Sequence, residues 1–322
     1  MKKKLGWISL ISVMAIGLLA SCGTKENTDQ KQTNDSAKKE SLTLSFGAMP
    51  AVDSLPVYIA EKEGYFKEEG LNLELNSFKS PKDRDAALTS GHLDGANTDL
   101  IALSTYRQGD MDVKVVSQSI GTFSVLTGND SINTINDLKG KKVGYAKNQA
   151  PYYFLDEALK THNLSVNEVG FEEVPQIPVR VELTLNHKID ATVVPEPFRT
   201  IGLSQGLKEL TNSQELGIQS TVFAFTNEAL TNNKEAIEAF YRAYNKGVDY
   251  VNDHNLDDYY DVLKEKIGFT DDIKKDVTLP KYVHAKQIDG KQVDNALNWS
   301  KQEGIYKKEY NQKEVMSDLL VK

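Results

Sequence analysis

The sequence predicts an α/β protein of two similar lobes with a cleft between them, and three observations carry that expectation. Short strand signals alternate with helix signals, the pattern that layers helices on a sheet. The stretch beyond residue 40 is long enough for about two lobes of ordinary size. A strand–loop–helix–strand–helix–strand unit also occurs twice. Ala87-Leu88-Thr89-Ser90-Gly91-His92-Leu93-Asp94 resembles Leu183 to Asp190, 96 residues on. Ser45-Phe46-Gly47 aligns with Lys142-Val143-Gly144, and Pro56-Val57-Tyr58 with Pro151-Tyr152-Tyr153. Short α/β units of like composition also produce such echoes by chance.

The chain opens with Lys2, Lys3 and Lys4, then an apolar run from Leu5 to Leu19, shorter than the roughly 20 residues that span a bilayer. Leu19-Ala20-Ser21-Cys22-Gly23 follows and resembles a bacterial lipobox, in which the thiol of Cys22 takes a diacylglycerol. Residues 1–21 are therefore read as a lipoprotein signal peptide. Residues 22–40 hold one aliphatic side chain, Ala37, and no aromatic, so they cannot bury a core and read as a disordered tether.

The strand Leu42 to Phe46 alternates apolar and polar and runs into a loop at Gly47. A helix follows over Leu55–Glu63 with Pro56 in its first turn. Leu71–Phe78 is a second strand. Ser80-Pro81 opens the next helix, Ser as cap and Pro at its first position, and Gly91 closes it. Leu93 to Ala96 begins a third strand, and Val113–Ser119 is another. In the last third, Ile237, Phe240, Tyr244, Val248 and Val251 recur at helical spacing over Lys234–Asn252. Asp257–Ile267, closed by Gly268, and Val293–Ser300 are further helices, expected to pack around one lobe without carrying chemistry.

Composition excludes several classes. The chain carries 38 Lys and Arg against 46 Asp and Glu. An acidic body disfavours nucleic acid, whose binding needs a basic surface. Cys22 is the single Cys, which excludes a disulfide once it is lipidated, Cys-based zinc sites and redox pairs. His92, His162, His187, His254 and His284 have no metal-ligand spacing, so no metal and no cofactor is expected. No G-x-S-x-G nucleophile elbow or phosphate loop occurs.

Several runs together carry a family resemblance. Pro56-Val57-Tyr58-Ile59-Ala60-Glu61-Lys62-Glu63-Gly64-Tyr65-Phe66, with Glu69-Gly70-Leu71-Asn72-Leu73-Glu74, resembles a signature of extracytoplasmic binding proteins. These are the proteins of the nitrate, sulfonate, taurine and thiamine-precursor group. Ala87-Leu88 with Gly91-His92-Leu93-Asp94 resembles a second element of that group, and Ile135 to Gly144 a third. The resemblance covers roughly residues 42–250 and implies a periplasmic-binding-protein-like fold of two α/β lobes hinged by crossing strands, with the ligand cleft between them. It implies exits from the first lobe near Phe123–Thr127 and returns near Thr221–Thr226. The first lobe is then 41–124 with 222–322, which includes the C-terminal helices, and the second is 125–221. A monomeric lipoprotein would capture a small molecule outside the cell. It would be held to the membrane by the lipid on Cys22 and would deliver to the permease and ATPase subunits of an ABC transporter. The pyrimidine-synthase branch carries a Cys-rich motif that this chain lacks, so the resemblance implies binding without turnover.

Ligands of open α/β sheets sit beyond the carboxyl ends of strands. That rule selects Met49, Pro50, Asp53 and Ser54, then Ser80 and Arg84, then Asn97, Thr98 and Asp99. In the second half it selects Asn148, Gln149 and Tyr152, then Gln176 and Arg180, then Glu196 and Phe198. Cap and turn roles are the alternative for each. Pro151 removes a backbone donor that an anion cradle would use, and Tyr152 and Tyr153 crowd the entrance, which suits a flat ring stacked on Tyr. Either Tyr could instead pack in a core. Pro195-Glu196-Pro197 stiffens a turn that offers a carboxylate to an amino group, or is a structural turn only. Arg84 and Arg180 point to a carboxylate, sulfonate or phosphate, or else lie on the surface. A thiamine-precursor pyrimidine or similar nitrogen-bearing ring is thus set against a sulfonate, taurine or nitrate anion.

Overall fold

The computed structural model describes residues 41–321. The expected signal peptide, Cys22 and the expected tether lie outside the described residues. The order of elements begins β1 (Leu42–Ala48), α1 (Leu55–Lys62), α2 (Tyr65–Glu68), β2 (Leu71–Ser77), α3 (Pro81–Thr89), β3 (Gly95–Asp99), α4 (Leu100–Gln108) and β4 (Val113–Gln118). The chain then crosses to β5 (Phe123–Thr127), β6 (Lys142–Tyr145), α5 (Ala150–Thr161), β7 (Gly170–Glu173), α6 (Ile177–Leu185), β8 (Ala191–Pro195), α7 (Phe198–Ser204) and β9 (Lys208–Asn212). It returns through β10 (Thr221–Thr226) and ends in α8 (Asn227–Asn232), α9 (Lys234–Asp253), α10 (Leu256–Val262), α11 (Gly290–Gln302) and α12 (Gln312–Val315).

Two five-stranded sheets result, ordered β2-β1-β3-β10-β4 and β7-β6-β8-β5-β9. They have the same topology. In each, the strand delivered from the other lobe, β10 or β5, runs antiparallel between two neighbours. The chain enters the second sheet at β5 and returns to the first at β10.

The echo is three-dimensional. Asp94 Oδ2 accepts the backbone N–H of Ser45 at 2.7 Å, and Asp190 Oδ2 accepts that of Lys142 at 2.9 Å. A Cβ on Gly47 would meet Leu93 Cδ1 at 2.7 Å, and one on Gly144 would meet Ile189 Cδ1 at 2.6 Å. In both sheets a Cβ at this strand position would make the aliphatic residue before the Asp shift, because its terminal methyl lies across the strand.

The expected local elements are present within about three residues. Ser80 caps α3, its Oγ accepting the Asp83 N–H at 3.2 Å. Gly268 closes the helical stretch after α10 at φ +100°. The apolar face of α9 places Phe240 against Phe46 of β1, ring centroids 4.7 Å apart, in the core of the first lobe. The expectation that all C-terminal helices serve one lobe is corrected at α11. It packs on α4, and its Trp299 also receives Tyr152 and Tyr153 of α5 from the second lobe, each ring 5.3 Å away. Among the described residues no helix is long and apolar enough to cross a membrane.

Candidate functional site

The loop after β1 turns inward rather than out to solvent. Asp53 is 3 % exposed and Ser54 is fully buried. Tyr282, from the irregular stretch between α10 and α11, fixes that loop by donating to the Val52 carbonyl at 2.7 Å. Tyr58 donates to the Met49 carbonyl at 3.1 Å, next to Pro50. Asp53 Oδ2 accepts Ser119 Oγ at 2.9 Å. Ser119 lies on the first crossing segment, where its carbonyl accepts Thr221 Oγ1 at 3.0 Å and its N–H donates to the Thr221 carbonyl. The carboxylate is therefore seated on the hinge. Burial pushes its pKa above the usual carboxylate value, and Asn97 and Ser119 hold it partly down.

Asn97, on β3, is buried, and its amide nitrogen has no hydrogen-bond partner among the described residues; the same holds for Ser54 Oγ. Thr98 Oγ1 is engaged with Tyr106 Oη at 3.0 Å. Asp99 caps α4, accepting the N–H groups of Ile101 and Ala102 at 2.9 Å. Asp99 also borders a cavity of about 500 Å³ between the lobes. Lys82 and Asp99 line it from one lobe, Lys147, Asn148 and Gln149 from the other, with Glu303 beside them. Asn148 is exposed there at φ +55°. Asn148 and Gln149 thus line the cavity between the lobes, whereas Asp53, Ser54 and Asn97 are buried and line no cavity there.

Most of the other selected residues are engaged by the protein itself. Ser80 is engaged by its own helix. Gln176 is exposed at the start of α6 and makes no cap bond. Tyr152 is not free for a ligand to stack on. It packs among Tyr145, Phe171 and Trp299, and its hydroxyl donates to Glu303 Oε2 at 3.3 Å. Glu196 is buried, and its carboxylate turns back on α7. Oε2 accepts the Thr200 N–H at 3.1 Å and Oε1 meets Arg199 at 3.4 Å. Burial raises its pKa, and Thr200 and Arg199 counter the rise.

Neither arginine is on the surface, which corrects that alternative. Arg84 is 3 % exposed, with Nε and NH2 on Asp85 Oδ1 at 2.9 and 2.7 Å and NH1 on the Asn97 carbonyl. Arg180 is 1 % exposed and meets only carbonyl oxygens. NH1 donates to Val174 and Pro175, and NH2 to Val193. The two residues are 96 apart, and each ties its helix to a strand carbonyl 13 residues on. Both are framework groups. Among the described residues no cluster of His, Cys, Asp or Glu could hold a metal ion.

Sequence reasoning missed Ser119 and Tyr282. Ser119 ended a recognised strand, so its place on the crossing was within reach. Tyr282 lies 230 residues from Val52 in an irregular stretch, and no periodic signal marks it.

The family model described as NMT1/THI5 like matches residues 51–257. The chain is 24% identical over 266 residues to the 4-amino-5-hydroxymethyl-2-methylpyrimidine phosphate synthase THI11 of Saccharomyces cerevisiae, covering 76% of this chain and 75% of that one. It is 22% identical over 225 residues to the riboflavin-binding protein RibY of Chloroflexus aurantiacus, covering 65% of this chain and 62% of the other. The crystal structure of the periplasmic aliphatic sulphonate binding protein SsuA from Escherichia coli superimposes with a TM-score of 0.76 at 15% identity. That match covers 85% of this chain and 92% of SsuA.

Proposed function

The chain belongs to the NMT1/THI5-like family, and from that premise we propose that it is the solute-binding component of an ABC importer, binding a small amino-bearing ring without transforming it. The fold is that of ABC-transporter substrate-binding proteins. The observation that carries the ligand reading is the buried carboxylate of Asp53 against the hinge, with the buried Asn97 amide nitrogen and Ser54 Oγ without a partner among the described residues. A buried carboxylate accepts from an amino group and repels a sulfonate. The stacking role once open to Tyr152 and the acceptor role once open to Glu196 no longer support the reading, because both side chains are occupied. The names of two relatives, a pyrimidine phosphate synthase and a riboflavin-binding protein, are in keeping with a nitrogen-bearing ring. Binding without turnover rests on the single Cys of the chain, since the synthase branch resembled by the sequence carries a Cys-rich motif.

Mass spectrometry of the protein purified without denaturation should release an amino-bearing ring compound. Ligand at 100 times its dissociation constant should stabilise the protein by about 2.7 kcal/mol. In a thermal-shift screen, aminopyrimidines should raise the melting temperature and alkanesulfonates should not. A shift with sulfonates alone would replace the ring by the anion.

The lipobox carries a separate expectation. Cys22→Ala should release the protein from the membrane fraction. Unchanged membrane retention of that variant would show another anchor.

A further inference from the structure

We propose that the two lobes are joined on one side by a core they share and part only on the other, so that solute enters past α7. This goes beyond the solute reading above and holds whichever solute is bound.

On the joined side, α11 ties the lobes near both of its ends. Near its start, Gln292 Nε2 donates to the Gly217 carbonyl at 2.8 Å, and its Oε1 accepts the Gln219 N–H at 3.2 Å, on the segment that returns to β10. Near its end, Trp299 donates to Asp156 of α5 at 2.6 Å. Glu303, just past the helix, accepts the Tyr152 hydroxyl at 3.3 Å. The apolar packing there is continuous. Tyr145, Tyr152 and Tyr153 of the second lobe are buried in one cluster with Leu100, Ile101 and Trp299 of the first.

The other side is different. Neighbouring residues of a strand face opposite ways. Phe154 and Leu155 of α5 pack with Val125 and Val193, and Phe198 and Leu203 of α7 with Leu126 and Val194. Thus α5 and α7 cover opposite faces of the second sheet. α7 rests on the short helical turn Asp271–Asp276 of the first lobe. Among the described residues, Ile201 is the one second-lobe side chain packed on the core beneath that turn, and it is only half-buried.

The asymmetry decides how the lobes move. Parting them at α11 would expose large aromatic rings and take the indole donor from the buried Asp156. Parting them at α7 uncovers one half-buried isoleucine. A packed core does not stretch by degrees. The contact of α11 with α5 therefore serves, with the crossing strands, as a pivot, and the mouth opens between α7 and the Asp271–Asp276 turn.

Pulsed electron-resonance distances between spin labels test this in the full chain carrying Cys22→Ser. The labels go on exposed positions. Thr161→Cys with Asn298→Cys spans α5 and α11. Ser204→Cys with Lys275→Cys spans α7 and the turn. Lys67→Cys with Lys275→Cys lies within the first lobe and sets the width that the labels and the turn contribute. Without ligand, the first pair should be as narrow as this control and the second about twice as broad or more. Adding 4-amino-5-hydroxymethyl-2-methylpyrimidine should shorten and narrow the second distance and leave the first unchanged. A first pair as broad as the second, or both pairs as narrow as the control, would overturn the pivot. If the pyrimidine moves no distance and raises no melting temperature, the solute reading fails, while the unliganded widths still decide the pivot.

Discussion

Trp299→Ala should destabilise the protein by about 3–5 kcal/mol, among the largest losses expected of any single truncation here. Trp299 is 2 % exposed and sits between Tyr152 and Tyr153. Its indole N–H donates to Asp156 Oδ2 at 2.6 Å, and Lys160 pairs with the same oxygen at 2.8 Å. Truncation removes the packing of a large aromatic and takes from a buried carboxylate one of its two partners. Trp299→Phe keeps most of the ring contact and loses only the N–H, so its cost should be nearer 1–3 kcal/mol, set by the weakened Asp156. Because α11 belongs to the C-terminal stretch and α5 to the second lobe, the lost contact is one between lobes. Urea unfolding followed by circular dichroism measures both losses. A cost under about 1 kcal/mol for Trp299→Ala would show that α5 and α11 are held by something other than this side chain.

The sequence was most informative where structure is set by near neighbours. The alternation Leu42 to Phe46, the Ser80-Pro81 opening of α3 and the apolar stripe of α9 all act within a few residues, and each was found. The repeat was readable because both lobes need the same short motif. Glycine leaves room on β1 and β6 where Leu93 and Ile189 lie across the strand, and Asp follows to tie the sheet. The strand-end rule also selected Asn148 and Gln149, which line the inter-lobe cavity, since it depends on topology alone.

Side-chain direction was not readable. Tyr152 looked available until Trp299, from a helix well over a hundred residues later, was placed against it. Glu196 stood in a stiff turn facing the strand ends, yet the first N–H groups of α7 draw a carboxylate as strongly as a ligand would. Asp53 looked like any loop acid. Its standing came from Ser119, which bonds its carboxylate, and from Tyr282, which bonds the neighbouring Val52 carbonyl, both from distant parts of the chain.

Arg180→Ala should cost about 3–5 kcal/mol, and Arg180→Met distinctly less. The guanidinium is the donor to three carbonyl oxygens, Val174, Pro175 and Val193, so it joins the end of β7 and the middle of β8 to α6. Its stem lies over Gly144, where a Cβ would come within 3.5 Å of Arg180 Cδ. Alanine removes both the donors and the stem. Methionine restores the stem and leaves only the carbonyls short of donors. It also removes a buried charge. Arg84 has Asp85 as its counter-ion, whereas the residue after Arg180 is Val181, and no carboxylate reaches it among the described residues. Burial alone lowers the Arg180 pKa to about 10. Removing a charge that is buried without a counter-ion returns part of what the lost hydrogen bonds cost. At Arg84 the loss should be larger, because Arg84→Met leaves Asp85 without its counter-ion and with only the Tyr106 hydroxyl still on it. Comparing the two methionine variants by urea unfolding at equal slope isolates the counter-ion. Equal losses at both positions would mean that the missing carboxylate at Arg180 has no energetic consequence. A loss under about 1 kcal/mol for Arg180→Ala would mean that the three carbonyls do not depend on the guanidinium.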